Sequence, residues 1–200
     1  MNPGMPRDEC LRTLSRHYTG QVVVAVYTTC FEWLAIRPDA LTYVSVGAMG
    51  QAGSHALGLA LGRPDLEIWV FDGDGSLLMN LGSLVTLAGA APRNLTHFIF
   101  QNGSYEANGH MPLPVAHPID FAGIARGSGI RHAATFHQID GLDDWMSRRA
   151  VSDGPAVIDL RVHSSHTTYP QRYDFIHSAQ ARESFRTALA ARPGKRSDAE

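Results

Sequence analysis

An acidic, glycine-rich turn with the sequence DGDGS occupies residues 72–76, between two apolar segments. Gly73 and Gly75 carry no side chain, so the backbone there can turn sharply and approach a ligand closely. The free N–H groups of a helix that begins near Ser76 would favour an anion such as phosphate. A carboxylate such as Asp74 repels that phosphate unless a cation lies between them. The turn therefore indicates magnesium-bridged phosphate, although an ordinary strand-to-helix turn with an aspartate cap would look the same locally.

A second candidate metal ligand, Asn102, follows the next predicted strand in the stretch IFQNGSYEANGHMPLP. The two turns flank one helix of a strand–helix–strand unit, and such units place the carboxyl ends of their strands side by side. We therefore expect Asp74 and Asn102 to converge on one ion, because a neutral amide oxygen suits magnesium that already carries phosphate charge. The alternative interpretation of Asn102-Gly103 is a plain turn.

Apolar segments that alternate with amphipathic segments would position these turns. They predict an α/β fold with one doubly wound, mainly parallel six-stranded sheet and helices on both faces. Ligands bind beyond the carboxyl ends of such strands. We expect one domain over residues 1–192 and a flexible polar tail over 193–200. The predicted strands are 21–28, 41–46, 67–71, 95–101, 132–136 and 156–162, and the predicted helices are 7–18, 51–61, 76–90, 119–126, 142–150 and 176–191.

The overall composition narrows the class of protein. Among 200 residues, 17 basic and 19 acidic side chains leave a net charge of −2, so neither nucleic acid nor a membrane surface is an expected partner. No apolar stretch approaches the roughly 20 residues that span a bilayer, and the first ten residues lack the pattern of a signal peptide, which predicts a cytoplasmic protein. Cys10 and Cys30 are too few for a disulfide framework and are interpreted as reduced thiols.

The two turns resemble the diphosphate-binding motif of thiamine diphosphate-dependent enzymes, in which GDG is followed by a pair of asparagines. Here residues 73–75 read GDG, and the pair is Gln101-Asn102, so glutamine replaces the first asparagine. The second asparagine, which binds the metal in the family, is kept. The resemblance implies that Mg²⁺ is held by Asp74, the side-chain oxygen of Asn102 and the backbone carbonyl of Ser104, and that the diphosphate lies against Gly73, Gly75 and Ser76.

A second stretch, SVGAMGQAGSHALGLALG at residues 45–62, resembles another element of this family. The resemblance implies that the carbonyl of Gly47 accepts a hydrogen bond from the 4′-amino group of the cofactor. It also implies that Met49 holds the cofactor in its bent shape. From the local sequence alone, Met49 would be a residue that fills a gap in the core.

The strongest resemblance, over residues 40–115, is to the diphosphate-binding domain of sulfopyruvate and phosphonopyruvate decarboxylases. It rests on the strings GDGSLLMNLG and APRNL, together with the stretch at residues 45–62. Single-chain members also contain a pyrimidine-binding domain whose glutamate activates the cofactor, and 200 residues have room for one domain only. The resemblance thus implies the beta-type subunit of a split enzyme that decarboxylates a small 2-keto acid. It would form a homo- or hetero-oligomer with an alpha-type subunit that carries the pyrimidine-binding domain.

Departures from the family leave the substrate open. The segment FEWL stands where related decarboxylases have Ser-Arg-Glu-Leu, so recognition of a phosphonate or sulfonate by arginine is not expected there. The resemblance implies that His110 and Met111 replace residues near the reacting end of the cofactor, and because of this position His110 is our candidate catalytic residue.

Two other classes of function remain open. One is the beta subunit of another thiamine diphosphate enzyme, either a carboligase or a 2-keto acid oxidoreductase, and the other is a non-catalytic module that binds the cofactor. The sequence also leaves the roles of several polar residues open. These residues are Cys30, Glu32, His163 and His166.

Overall fold

A parallel sheet of seven strands forms the centre of the fold in the computed structural model, which describes residues 4–45, 49–115, 117–149, 154–165 and 167–192. Its strand order is β3-β2-β4-β5-β9, and β8 and β1 both pair with the far side of β9, at residues 156–160 and 162–163 respectively. A separate hairpin pairs β6 with β7. The strands are β1 (Met5–Pro6), β2 (Val22–Ala25), β3 (Thr42–Val44), β4 (Ile68–Gly73), β5 (Leu95–Gln101), β6 (Ser104–Tyr105), β7 (Met111–Pro112), β8 (His132–Phe136) and β9 (Ala156–His163).

Helices cover both faces of the sheet. In β4, Trp69 and Phe71 face one apolar cluster with α1, α2 and α7, whereas Ile68 and Val70 face a second cluster with α3, α5, α6 and α9. The predicted doubly wound fold is therefore confirmed. No helix in the described ranges is long and apolar enough to cross a membrane. The helices are α1 (Arg7–Arg16), α2 (Tyr27–Ile36), α3 (Ala52–Gly62), α4 (Asp74–Leu78), α5 (Ser83–Ala90), α6 (Phe121–Gly127), α7 (Ile139–Arg148), α8 (Tyr173–Ile176) and α9 (Ala179–Ala190), and a 3₁₀ turn spans Glu106–Asn108.

All six predicted strands are present, but the first of them is shorter than predicted and the helix that follows it was not predicted. The strand predicted at 21–28 ends at Ala25, and α2 begins at Tyr27. Five consecutive residues of α2, 29–33, are buried. A helix with so little polar surface lacks the periodic pattern by which amphipathic helices are recognised. The seventh strand, β1, has only two residues and was not predicted.

The helix predicted at 76–90 is wrong as a single element, because it consists of two helices, α4 and α5. The chain turns at 79–82, where the side-chain amide of Asn80 donates to the backbone oxygen of Gly50 at 3.0 Å. The interruption lets Asn80 leave the helical register and hold a neighbouring turn. At the end of the chain the predicted helix 176–191 is also divided, and α9 is capped by the Ser178 hydroxyl, which accepts from the N–H of Ala181 at 3.0 Å.

Candidate functional site

A cleft opens at the carboxyl ends of β2, β4 and β5, where a parallel sheet is expected to bind its ligand. Every predicted binding residue in the described part of the chain lines this cleft. Gly47 lies outside the described residues, so its predicted contact is not defined here. The lining predicted residues are Met49, Gly73, Asp74, Gly75, Ser76, Asn102 and Ser104.

Asp74 joins the two predicted turns. It is the first residue of α4 and is only 1% exposed. One carboxylate oxygen, Oδ1, accepts from the N–H of Gly75 at 2.8 Å. The other, Oδ2, accepts from the N–H of Gly103 at 2.7 Å. The second hydrogen bond crosses from the end of β4 to the end of β5, so it brings Asp74 next to the loop that carries Asn102.

The charge of Asp74 has no partner on a basic side chain of the described residues. Burial raises the pKa of Asp74 to about 6, and the N–H groups of Gly103 and Gly75 offset only part of that effect. A buried carboxylate in this state is costly when ionised. A bound cation would favour the ionised form, so the electrostatics of Asp74 suit a metal site.

The side chain of Asn102 is held at both ends. Its Nδ2 donates to Oε2 of Glu106 at 2.8 Å. Its Oδ1 accepts from the backbone N–H of Ser104 at 2.9 Å and from the Ser104 hydroxyl at 3.2 Å. The donor and acceptor roles of these partners fix one orientation of the amide, in which Nδ2 faces Glu106 and Oδ1 faces Ser104.

The donor set fits Mg²⁺ only in part. A carboxylate, an amide oxygen and a backbone carbonyl are the hard oxygen ligands that Mg²⁺ binds, but its octahedral shell needs more of them. Among the described residues, no group of three or more His, Cys, Asp or Glu side chains could hold a metal ion. A metal here would therefore need oxygens from a ligand such as a diphosphate.

Gly73 leaves open space in the cleft. Its φ of −89° and ψ of 153° are accessible to any residue, so the backbone conformation does not require glycine. A Cβ atom added at Gly73 would meet no atom within 4 Å. Gly75 differs, because a Cβ there would lie 2.6 Å from Cδ1 of Tyr105. Packing thus explains Gly75, whereas no packing contact requires glycine at position 73.

The turn at Met49 is clamped to the start of α4. Gly50 has a φ of +85°, a region that favours glycine, and its N–H donates to the Ser76 hydroxyl at 3.0 Å. Its carbonyl accepts from Asn80, as described above. A Cβ at Gly50 would lie 2.9 Å from Cβ of Asn80. Both backbone groups of Gly50 are therefore satisfied, and Met49 is held at the edge of the cleft.

A buried pair lies beneath the glycine-rich turn. Nε2 of His97 lies 3.2 Å from Oδ2 of Asp72, and both side chains are 1% exposed. The other oxygen of Asp72 accepts from the N–H of Gly73 at 3.0 Å. These two contacts of Asp72 connect the middle of β5 to the end of β4, where the glycine-rich turn begins.

The candidate catalytic residue His110 lies outside the cleft lining. It is exposed, has a φ of +58°, and its backbone N–H donates to the carbonyl of Glu106 at 3.3 Å. Its catalytic role stays a prediction. His163 makes a hydrogen bond through Nδ1 with the carbonyl of Ser164 at 2.9 Å, and His166 lies outside the described residues.

Cys30 and Glu32 have structural surroundings in α2. Cys30 is fully buried, and burial raises the pKa of its thiol to about 12, so it stays protonated and is a poor nucleophile near neutral pH. Glu32 is also buried and forms a two-pronged ion pair with Arg7, at 2.9 Å and 2.8 Å.

The residues of the cleft that the sequence analysis missed include Arg7, Tyr27 and Glu106. Arg7 and Glu106 meet in an ion pair although they are 99 residues apart in sequence, and no local pattern predicts such a pair. Tyr27 has a φ of +36°, an unusual conformation for a non-glycine residue that often marks functional sites.

Comparison with known proteins agrees with this geometry. The family described as "Thiamine pyrophosphate enzyme, C-terminal TPP binding domain" matches residues 19–160. The chain belongs to this family. The match contains both turns that line the cleft, and it supports thiamine diphosphate as the cofactor of this C-terminal-type domain.

Two curated relatives differ in how much of their length this thiamine diphosphate-binding domain spans. The phosphonopyruvate decarboxylase of Streptomyces viridochromogenes is 36% identical over 120 residues, which are 60% of this chain and 30% of the relative. The sulfopyruvate decarboxylase subunit beta of Methanothermobacter thermautotrophicus is 35% identical over 140 residues, 70% of this chain and 71% of the relative. The chain thus spans less than a third of the first relative but most of the second.

Solved structures share the fold of the domain. The thiamine diphosphate-dependent 4-hydroxybenzoylformate decarboxylase of Rhodococcus jostii RHA1 superposes with a TM-score of 0.68 at 20% identity, over 84% of this chain and 34% of that chain. A similarity at this level of identity establishes the α/β architecture alone.

Proposed function

We propose that this chain binds thiamine diphosphate through Mg²⁺ and forms the cofactor-binding half of a 2-keto acid decarboxylase. The observation that carries the proposal is the hydrogen bond from Gly103 to Asp74, which joins the two ligand-bearing turns beside the open space at Gly73. The proposed metal ligands are Asp74, the Oδ1 atom of Asn102 and the carbonyl of Ser104. The diphosphate would lie against Gly73, Gly75 and Ser76, and Gly47 and Met49 would contact the rest of the cofactor.

The chemistry divides between the cofactor and the chain. When bound, thiamine diphosphate supplies the electron sink that a 2-keto acid needs in order to lose carbon dioxide. The chain positions the diphosphate end: Asp74 and Asn102 provide oxygens, and the Gly50 clamp fixes Met49 at the cleft. We also propose that His110, which is exposed and lies outside the cleft lining, transfers a proton in the reaction.

A second subunit is part of the proposal. One relative is named as a beta subunit, and this chain spans most of it. Glu32, the glutamate in α2 next to the cleft, is buried against Arg7 and is not available to activate a cofactor. We therefore propose that an alpha-type subunit with a pyrimidine-binding domain supplies the activating glutamate. Met79 and Met111 are 53% and 61% exposed, and such apolar side chains suit contact with a partner.

The substrate class follows from the names of the relatives, which act on phosphonopyruvate and sulfopyruvate. Both compounds are small 2-keto acids, so the proposal is limited to that class. Carboligation and oxidative decarboxylation are the competing reactions, since both use the same cofactor.

The proposal is tested by reconstitution with the candidate alpha-type subunit and a panel of 2-keto acids, with release of carbon dioxide and formation of aldehyde as the readouts. Gly73→Ala is expected to abolish turnover because its Cβ fills the space that we assign to the diphosphate. Gly89→Ala is the matched control, since Gly89 is exposed in α5 and its Cβ also meets no atom within 4 Å. A carboligation product, or turnover that persists in Gly73→Ala, would contradict the proposal.

A further inference from the structure

Arg7 is a buried cation at the wall of the cleft. It follows β1 as the first residue of α1 and is 3% exposed. Its guanidinium lies between two carboxylates. Glu32 binds Nε and Nη2, at 2.9 Å and 2.8 Å. Glu106 binds Nη1 through Oε2 and Nη2 through Oε1, the latter at 3.1 Å.

These contacts commit most of the hydrogen-bonding capacity of Arg7. A guanidinium has five N–H groups, and the contacts with Glu32 and Glu106 use all but one of them. Two carboxylates around one guanidinium also leave the cluster with net negative charge. Arg7 is therefore not arranged to recognise the anionic group of a substrate. Its role is sought instead in the two carboxylates that it binds.

Arg7 holds Glu106, and Glu106 holds Asn102. Oε2 of Glu106 accepts from Nδ2 of Asn102 at 2.8 Å. An asparagine amide that rotates by half a turn exchanges its oxygen and its N–H group, and only the oxygen can bind a cation. With Nδ2 fixed on Glu106, Oδ1 is directed to the opposite side, where it also accepts from Ser104.

Glu32 anchors the other side of Arg7. Its Oε1 also accepts from the Ser165 hydroxyl at 2.7 Å, and that hydroxyl accepts from the backbone N–H of Asp8 at 3.1 Å. The cluster therefore connects α1, α2 and the loop after β9. Glu106 is held by elements that pack against one sheet, so its position does not depend on the 3₁₀ turn alone.

We propose that Arg7 and Glu106 are positioning residues, which fix the Asn102 amide with its oxygen toward the metal. The inference rests on the proposed function, because Asn102 is a metal ligand only within it. Partners that orient a metal ligand typically change metal affinity by about 10–100-fold when they are removed.

The experiment measures Mn²⁺ as a spectroscopic substitute for Mg²⁺. Electron paramagnetic resonance gives the Kd of Mn²⁺ for the chain in the presence of thiamine diphosphate, in an assembly with the alpha-type subunit. Glu106→Ala is expected to raise this Kd by about 10-fold or more. Glu106→Gln, which keeps an acceptor oxygen for Nδ2 of Asn102, is expected to recover most of the affinity. Glu183→Gln controls for the loss of one carboxylate, because Glu183 lies exposed on α9.

A double-mutant cycle tests whether Glu106 acts through Asn102. If it does, Asn102→Ala combined with Glu106→Ala weakens Mn²⁺ binding no more than Asn102→Ala alone. Additive losses would overturn the inference, and so would a Glu106→Ala chain that binds Mn²⁺ as tightly as wild type. Melting temperatures without metal separate loss of the fold from loss of orientation. A wild-type chain that binds no metal with the cofactor would instead contradict the proposed function itself.

Discussion

Each end of the sheet has a carboxylate with little exposure to solvent, 12% for the side chain of Glu67 and 1% for Asp74, but the two charges are compensated differently. At the amino end, Glu67 pairs with Arg149, and its oxygens also accept from Trp69 at 2.6 Å and from Gln21 at 3.0 Å. At the carboxyl end, Asp74 accepts only backbone N–H groups, and no basic side chain of the described residues pairs with it. Removal of one partner from a largely buried ion pair is strongly destabilising, whereas a buried carboxylate without a cation of its own is suited to bind one from outside the chain.

The largest effect is expected from Asp74→Asn. It removes the charged ligand, so Mg²⁺-dependent binding of thiamine diphosphate should weaken by more than the roughly 10–100-fold that loss of an orienting partner costs. The free energy of unfolding without metal should change little, because loss of an unpaired buried charge offsets the lost acceptor. Calorimetric titration and urea unfolding measure the two quantities. A variant that binds the cofactor as tightly as wild type would show that the charge of Asp74 is not needed for binding.

Glu67→Gln should show the opposite pattern. It leaves Arg149 without its carboxylate in a largely buried site, and we expect a loss of roughly 3 kcal/mol in the free energy of unfolding. Cofactor affinity should be unchanged, since Glu67 lies at the far end of the strands. Glu183→Gln is the exposed control, and loss of its surface pair with Arg186 should cost under about 1 kcal/mol. Equal losses in the two variants would mean that the amino-end pair is not structural.

Gly73 and Gly75, in the turn at the carboxyl end of β4, are expected to differ in their effects on stability and on cofactor binding. Gly75→Ala should destabilise the fold by about 1–3 kcal/mol, because its Cβ would overlap the Tyr105 ring. Gly73→Ala should leave the melting temperature close to that of wild type and affect cofactor binding alone. Thermal unfolding of both variants without ligands measures the difference. Similar melting temperatures for the two would show that the ring of Tyr105 moves aside freely.

A pH-dependent effect on thermal stability is expected at Asp159. This carboxylate is intermediate between Glu67, which has a cationic partner, and Asp74, which has none among the described residues. It has an ion pair with Arg161 at 3.0 Å, but burial still raises its pKa to about 7. The folded pKa is above that of the unfolded chain, so the stability linked to this group is present below about pH 4 and is lost as pH rises through about 7.

Asp159→Asn should remove that dependence. Between about pH 5 and about pH 8, the melting temperature of wild type should fall relative to that of the variant, measured without metal or cofactor. Parallel melting curves for the two proteins across this range would contradict the raised pKa. Either result is independent of cofactor binding, because no ligand is present.

Local patterns in the sequence were sufficient to predict the sheet and the two turns of the site. The strands β2 and β5 are short apolar segments buried on both faces, and the glycines and acidic residues of the GDG turn lie next to one another in the chain. The carboxyl ends of β4 and β5 meet because parallel strands connected by a helix are neighbours. These features depend on nearby residues, so they are visible without a structure.

The features that were missed depend on distant residues or on burial. The pair of Arg7 with Glu106 joins residues 99 apart, and that of Arg7 with Glu32 joins residues 25 apart. The helix α2 lacks a polar face, so its first two residues were assigned to a strand and the rest of it was not predicted. The break between α4 and α5 arises because Asn80 binds Gly50, a contact that helical periodicity cannot predict.

The most direct test of the account is a calorimetric titration of thiamine diphosphate into the wild-type chain assembled with its alpha-type subunit, once with Mg²⁺ and once with a chelator. We expect saturable binding with Mg²⁺ and almost none with the chelator, because no basic side chain of the described residues pairs with Asp74. Equal affinity for thiamine diphosphate with Mg²⁺ and with the chelator would contradict the claim that Asp74 binds the cofactor through a metal.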